Sequence, residues 1–296
     1  VHFYDMQHPE LFYWGGQPGV HRPDLDMQIQ KLAERNYIAE DYIAETRNAN
    51  VTKAVHVQAA IGSKDPVKET EWLQAAADRT GYPHAIVAYA DLRDSGVEAV
   101  LDRHSRYANI RGLRDFSYGD YLRPGAMARF SPVMDALNKF VASGRTAIGI
   151  CNGFQILCES GLLPGALLPN QHLEYRCQPT HLRTERTDTP FTRSCTQGQL
   201  LDVPVSHGEG NYFADADTLI QLEEEGRVLF RYCDASGQAT EDSNPNGSAN
   251  NIAGIINEAG NVLGMMPHPE RSCEAILGST DGNLIFQSII DSQRKG

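Results

Sequence analysis

Apolar positions along the chain follow two spacings that keep replacing each other. Short runs rich in Val and Ile read as strands. Longer stretches, in which apolar residues recur every three or four positions, read as amphipathic helices. In the first part, residues 1–4 read as the end of a strand, and 51–58, 84–90 and 109–113 as further strands. Between them, Leu25, Ile29 and Leu32 have helical spacing. Residues 65–78 predict a helix, with Asp65 as a possible N-cap and Pro66 at the first helical position. Ser95 is placed to cap another helix, whose Val97, Val100, Leu101 and His104 share a face. Strands alternating with helices predict an α/β fold with a parallel sheet.

The alternation continues in the second part. Ser131 and Pro132 make a helix start, followed by Val133, Leu137 and Val141 at helical spacing. Residues 145–150 form an apolar strand that runs into a helix-compatible stretch. Residues 161–170 read as a turn-rich exit, 172–187 as strands, 206–210 as a compact polar loop and 215–227 as an acidic helix. Residues 228–233 predict a strand, 244–251 a loop rich in Asn, Gly and Ser, 252–256 and 261–266 a hairpin, and 284–290 part of a closing helix.

Composition narrows the classes. A chain of 296 residues with 41% hydrophobic side chains can bury one large core or two medium ones. A net charge of −12 argues against a general nucleic-acid binder. No apolar run approaches the roughly 18 residues that span a bilayer. The six cysteines form no zinc-ribbon pairs and read as reduced thiols of a cytoplasmic protein. Val1 opens the chain as though within a strand, which points to a truncated start.

The chemistry concentrates in two stretches. In TAIGICNGFQIL, 146–157, a strand ends, turns and starts a helix around Cys151, with Gly149 and Gly153 leaving room on either side. This is a thiol version of the Gly-x-Ser-x-Gly nucleophile elbow, and a helix N-terminus favours thiolate. The alternative is a small buried cysteine between packing glycines. In GMMPHPER, 264–271, Pro269 pushes His268 into an extended conformation, and residues two apart in extended chain point the same way. Glu270 can then orient the His268 ring toward a thiolate, the triad logic with sulfur as nucleophile. The alternative is an ordinary surface ion pair.

From about residue 116 to 290 the chain resembles the glutaminase subunit of phosphoribosylformylglycinamidine synthase, a class I glutamine amidotransferase of purine biosynthesis. The resemblance rests on FSYGDYLRPGAMARFSPVM (116–134), GICNGFQIL (149–157), GLLPGALLPN (161–170), VSHGEGNYFAD (205–215), NPNGSANNIAGI (244–255) and GNVLGMMPHPER (260–271). It implies a flavodoxin-like domain with a parallel sheet, Cys151 as nucleophile, His268 as general base and Glu270 as its orienting carboxylate. It places Gln155 near the glutamine pocket, with Gly153 and His207 assigned to substrate binding. His207 falls in the 206–210 loop, read as lining the glutamine channel or the partner surface. The Asn152 backbone N–H is expected to hold the oxyanion. The implied partners are a large synthase subunit, which carries ATP and Mg, and a small bridging subunit. No cofactor is expected in this chain, which has no Gly-x-x-x-x-Gly-Lys phosphate loop.

Residues 1–115 instead resemble the first half of a metal-dependent amidohydrolase of TIM-barrel type, through VHFYD (1–5), ANVTKAVHVQAA (49–60), ETEWLQAAADRTGYPHAIVAYADL (69–92) and NIRGL (109–113). The domains expected are therefore a partial amidohydrolase-like βα segment, 1–115, and an amidotransferase domain, 116–296, whose first strands are replaced or preceded by these units. A catalytic metal needs about three protein ligands. His2, His56 and His84 are the available set, and they read better as buried or supporting histidines, so no metal site is expected. At the junction the family has a glycine whose N–H serves the oxyanion, and Asp115 stands there instead. Loss of one such donor costs about 10²–10³ in rate, so impaired activity is expected. A metal-dependent amidohydrolase, an inactive docking subunit and a chimeric fragment remain as alternatives.

Overall fold

The structure, a computed structural model, describes residues 1–8, 11, 35–60, 63–92, 94–115 and 131–294, with 131–133 by their backbone. The helix expected around Leu25, Ile29 and Leu32, and most of the junction motif 116–134, lie outside the described residues. The chain divides into two compact units, Val1–Val133 and Met134–Gly296.

In the first unit, helices and strands alternate as α1 (Ala39–Thr46), β1 (Val55–Val57), α2 (Val67–Thr80), β2 (Ala85–Tyr89), α3 (Val97–His104) and β3 (Ile110–Arg114). The strands pair in the order β1-β2-β3, all parallel. Asp65 caps α2 from just outside, its Oδ1 accepting the Val67 N–H at 3.1 Å. Gly81 ends α2 in the left-handed region at φ 81°, where glycine carries no Cβ penalty. Ser95 does not cap α3: the N-cap position is Gly96, whose N–H donates to Asp94 Oδ1 at 2.7 Å in the turn before the helix. The Val97 N–H is taken by the Asp94 carbonyl at 3.0 Å, so the turn closes without the Ser95 hydroxyl. Phe3, Leu73, Ala76, Ile86 and Ala88 form the core of this unit.

The second unit is built on a six-stranded sheet ordered β4-β13-β12-β11-β7-β8. Its strands are β4 (Ala147–Ile150), β7 (His181–Thr184), β8 (Leu200–Asp202), β11 (Val228–Cys233), β12 (Ile252–Ile256) and β13 (Val262–Met265). Only β4–β13 is parallel among these pairs; the others are antiparallel. Every residue of β12 and β13 is buried. That is the mark of a sheet covered on both faces. Accordingly Val262 packs in one apolar cluster with Phe154, Leu157 and Leu163, while Leu263 and Met265 pack in another with Leu201, Leu229 and Ile285.

Among the described residues four helices accompany this sheet: α4 (Ser131–Ala142), α5 (Asn152–Glu159), α6 (Ala216–Glu224) and α7 (Asn283–Gln293). Leu137 and Val141 of α4 join the Phe154 cluster, as their spacing predicts. Asp215 caps α6 by accepting the Thr218 N–H at 2.8 Å. The exit and loop regions are more ordered than their turn-rich sequences suggest. They hold two small antiparallel pairs, β5 (Ala166–Leu168) with β10 (Asn211–Phe213), and β6 (Arg176–Gln178) with β9 (Val205–His207). No helix among the described residues is long and apolar enough to cross a membrane.

Candidate active site

Parallel pairing of β4 with β13 brings Ile150 level with Met265, so both strands end at the same edge of the sheet. The Cys151 N–H extends the ladder by one step, donating to the Met265 carbonyl at 2.8 Å. The two motifs, far apart in sequence, therefore leave the sheet side by side. Cys151 itself sits at φ 54°, ψ −110°, immediately before α5. A non-glycine residue held there stores about 1–3 kcal/mol of backbone strain, as the elbow reading requires. Phe154 anchors the helix from below: it is fully buried and stacks on Tyr212 with 5.7 Å between ring centroids.

The two glycines flanking the thiol differ. A Cβ on Gly149 would lie 2.5 Å from both the Gly153 carbonyl oxygen and Leu157 Cδ1. Gly149 is thus what lets α5 close onto β4. Among the described residues, a Cβ on Gly153 would meet nothing within 4 Å. Both glycines leave room around the thiol, but only Gly149 is crowded by other described residues.

His268 is buried, and its Nδ1 lies 2.6 Å from Glu270 Oε1. Its backbone N–H donates to Pro204 O at 2.8 Å. The route to this pair is not the extended chain that the sequence suggested. Pro269–Arg271 form a 3-10 turn with Pro at its first position, and Glu270 reaches back to the ring from within that turn. Gly282 seals the turn from behind: a Cβ there would stand 2.6 Å from Ser272 Oγ and run into the Pro269 carbonyl.

Among the described residues the other ring nitrogen, Nε2, is buried without a hydrogen-bond partner. The Cys151 sulfur lies close enough to act on the ring. Burial works to lower the His268 pKa, but the Cys151 sulfur and the Glu270 carboxylate outweigh it, and the value rises to about 9. Burial works to raise the Glu270 pKa, and the His268 bond reverses that, holding the carboxyl below its ordinary value. The arrangement favours an imidazolium held between the Glu270 carboxylate and the Cys151 sulfur.

The thiol also faces the Ser206 carbonyl at 3.9 Å and Asn152 Oδ1 at 3.9 Å. Asn152 is the first residue of α5, so its N–H has no carbonyl one turn back within the helix. Gln155, one turn along α5, donates from Nε2 to Glu209 Oε2 at 3.3 Å and sits 3.5 Å from the Glu209 carbonyl. The 206–210 segment thus walls the thiol, and its first residues belong to β9.

His207 departs from its expected role. It is buried, with Nδ1 on Asn170 Oδ1 at 3.1 Å and Nε2 on Asn246 Nδ2 at 3.4 Å. Burial and the nearby His268 lower its pKa to about 4, so it is neutral. Its ring supports the loop from inside instead of facing a ligand. Asp115 lies in the first unit just past β3, where its Oδ2 accepts the Leu92 N–H at 3.2 Å.

The three histidines weighed as metal ligands each have a protein partner. His2 Nδ1 is 2.8 Å from Val57 O, and His84 Nδ1 accepts the Ala54 N–H at 3.3 Å. His56 is wholly buried, accepting the Phe3 N–H at Nδ1 (3.1 Å) and facing Glu69 Oε1 with Nε2 (3.3 Å). Among the described residues no group of three His, Cys, Asp or Glu is arranged to hold a metal ion.

Sequence reasoning missed Asn170, Gly210 and Asn246. All three look like turn residues in segments rich in Gly, Pro and Asn. Only the fold reveals that Asn170 and Asn246 are fully buried.

A strained thiol at a strand–helix elbow, faced by a carboxylate-bound imidazole just past the neighbouring strand, is the layout of a thiol-dependent amidotransferase. Residues 56–283 match the family described as the CobB/CobQ-like glutamine amidotransferase domain, so the chain carries a glutamine amidotransferase domain. It is 59% identical over 180 residues to the phosphoribosylformylglycinamidine synthase subunit PurQ of Rhodopseudomonas palustris (strain BisB18), covering 61% of this chain and 77% of that one. It is 57% identical over 181 residues to the PurQ subunit of Moorella thermoacetica, again 61% and 77%. Among solved structures, PurLQS from Thermotoga maritima aligns with 34% identity and a TM-score of 0.53, over 69% of this chain and 96% of that one. The chain belongs to the PurQ family of phosphoribosylformylglycinamidine synthase subunits.

Proposed function

We propose that this chain is the glutaminase subunit of phosphoribosylformylglycinamidine synthase, releasing ammonia from glutamine for the ATP-dependent amidination of formylglycinamide ribonucleotide in purine biosynthesis. One observation carries the reading. The His268 imidazole is held by Glu270 at Nδ1, and its free Nε2 is coupled to the Cys151 thiol at a strained elbow.

In the mechanism, His268 takes the Cys151 proton and the thiolate attacks the side-chain amide carbon of glutamine. The oxyanion is held by backbone N–H groups, Asn152 among them, at the positive end of α5. His268 returns the proton to the leaving nitrogen, and ammonia departs, leaving a glutamyl thioester. Water, deprotonated by His268, then releases glutamate and restores the thiol. Glu270 keeps the ring in the tautomer that presents Nε2 to sulfur. Gln155 and the open space at Gly153 line the substrate side of the elbow.

The partners of this reading are a large ATP- and Mg-bearing synthase subunit and a small bridging subunit, in the cytoplasm. The PurLQS relative supports the assembly. Residues 1–115 are read as βα units standing where the amidotransferase domain, 116–296, has its first strands. The three parallel strands and the family match from residue 56 support that position in the chain. The amidohydrolase-like motifs support their ancestry. Asp115 in place of the family glycine points to lowered activity.

The test is glutamate release from glutamine by the full chain, alone and with the synthase and bridging subunits, with Cys151→Ala as control. Turnover that the substitution abolishes supports the reading. Absence of turnover in both conditions removes it.

A further inference from the structure

We propose that Asn170 is a positioning residue for the glutaminase reaction, holding the 206–210 segment in place against the Cys151 thiol. The inference rests on the reading above and adds a residue to it.

Asn170 is wholly buried, and its whole side chain is committed to that segment and its neighbour. Oδ1 accepts the Gly210 N–H at 3.0 Å and lies 3.1 Å from His207 Nδ1. Nδ2 donates to the carbonyls of His207 at 2.9 Å and Glu174 at 2.8 Å. Its backbone N–H donates to Gly208 O at 2.9 Å. One proton assignment satisfies the set. His207 donates from Nδ1 to Asn170, and its Nε2 accepts from Asn246, whose Nδ2 also reaches Tyr232 Oη at 3.3 Å. Gly210 lies flat on the ring, since a Cβ there would come within 2.7 Å of three of its atoms.

The held segment is the one that faces the chemistry. Its Ser206 carbonyl stands 3.9 Å from Cys151 Sγ, and its Glu209 is bound by Gln155. Tyr175, just beyond Glu174, adds a bond of 2.6 Å between its hydroxyl and Ser206 Oγ. Asn170 touches none of the reacting atoms. It fixes the wall against which glutamine must lie, so its loss falls on substrate binding more than on the thiol.

The experiment measures kcat and KM for glutamine in the full chain assembled with its synthase and bridging subunits. It compares wild type with Asn170→Ala and with Asn170→Asp, which keeps the size but loses both donors. The expected result is a KM raised about tenfold or more in both variants, with kcat reduced less, given several buried hydrogen bonds lost at once. Folded variants with KM within twofold of wild type overturn the proposal while the glutaminase reading stands. A wild type without turnover overturns both. If neither variant folds, amide exchange in the wild type decides. A Gly210 amide as slow as those of β13 supports the proposal, and one as fast as an exposed loop overturns it.

Discussion

Gly149 and Gly264 are register partners across the parallel β4–β13 pair, and a side chain on either would invade the helix that carries the nucleophile. On Gly149 it would strike the Gly153 carbonyl and Leu157; on Gly264 it would run into the Phe154 ring and come within 2.6 Å of Leu163. Two adjacent strands have been cleared at one level so that α5 can lie close against them. That closeness sets the sharpness of the elbow and, through it, the strain at Cys151.

Gly149→Ala is therefore expected to destabilise the second unit by about 1–3 kcal/mol, the usual cost of overpacking a close contact. Because the obstacle is partly backbone, the helix must move. Glutaminase activity should fall with stability. Equilibrium denaturation together with the rate of glutamate release checks this; unchanged stability would show that α5 has slack the packing does not suggest.

Gly153→Ala should do the opposite. Among the described residues the added methyl meets no atom, and it replaces a helical glycine, which stabilises a helix by up to about 1 kcal/mol. The same methyl occupies space beside the thiol. The expected outcome is a melting temperature equal to or above wild type with a raised KM for glutamine. A variant that loses stability, or keeps its KM, would contradict the open space at this position.

Much of this site is legible in the sequence because its chemistry is local. The elbow around Cys151 and the His268–Glu270 pair each lie within a few residues, and proline and glycine mark their turns. What could not be read is what depends on distant contacts. His207 in a polar, glycine-flanked motif looks like a ligand-facing residue, yet Asn170 and Asn246 enclose it from other loops. The alternation at 172–187 correctly suggests strands but cannot tell that β6 leaves the main sheet to pair with β9. In the first unit the helical and strand periods are clear, and β1–β3 form where apolar runs lie. Ser95 reads as a cap, yet the helix begins one residue later, at Gly96, where no side chain caps it.

His56 and Glu69 make a buried pair in the first unit, with the carboxylate also accepting the N–H groups of Ala59 at 2.7 Å and Ala60 at 2.8 Å. Burial lowers the His56 pKa against the pull of Glu69. Glu69→Ala would strand two amides and an imidazole. The expected cost is about 3–5 kcal/mol, since each buried donor left without a partner costs about 1–3 kcal/mol. Limited proteolysis would then cut within 1–115 first. The same protein should show no zinc binding that His56→Ala removes. Stoichiometric zinc lost on that substitution would favour the amidohydrolase alternative.

The coupling of His268 to its neighbours fixes a pH dependence. Its folded pKa, about 9, lies above the ordinary 6.5, so the folded state holds this proton more tightly than the unfolded one. The stabilisation is complete below 6.5, fades as pH rises from 6.5 to 9, and is lost above. The stability difference between wild type and His268→Gln should therefore shrink over that window, as followed by chemical denaturation at fixed salt. Activity follows the same proton, because imidazolium protonates the departing ammonia. The alkaline limb of kcat/KM is expected near pH 9. Glu270→Gln removes the carboxylate that helps hold the proton, so the limb moves toward lower pH and activity at pH 8 falls more than at pH 7. An alkaline limb unmoved by Glu270→Gln would mean that Glu270 does not set the protonation of His268.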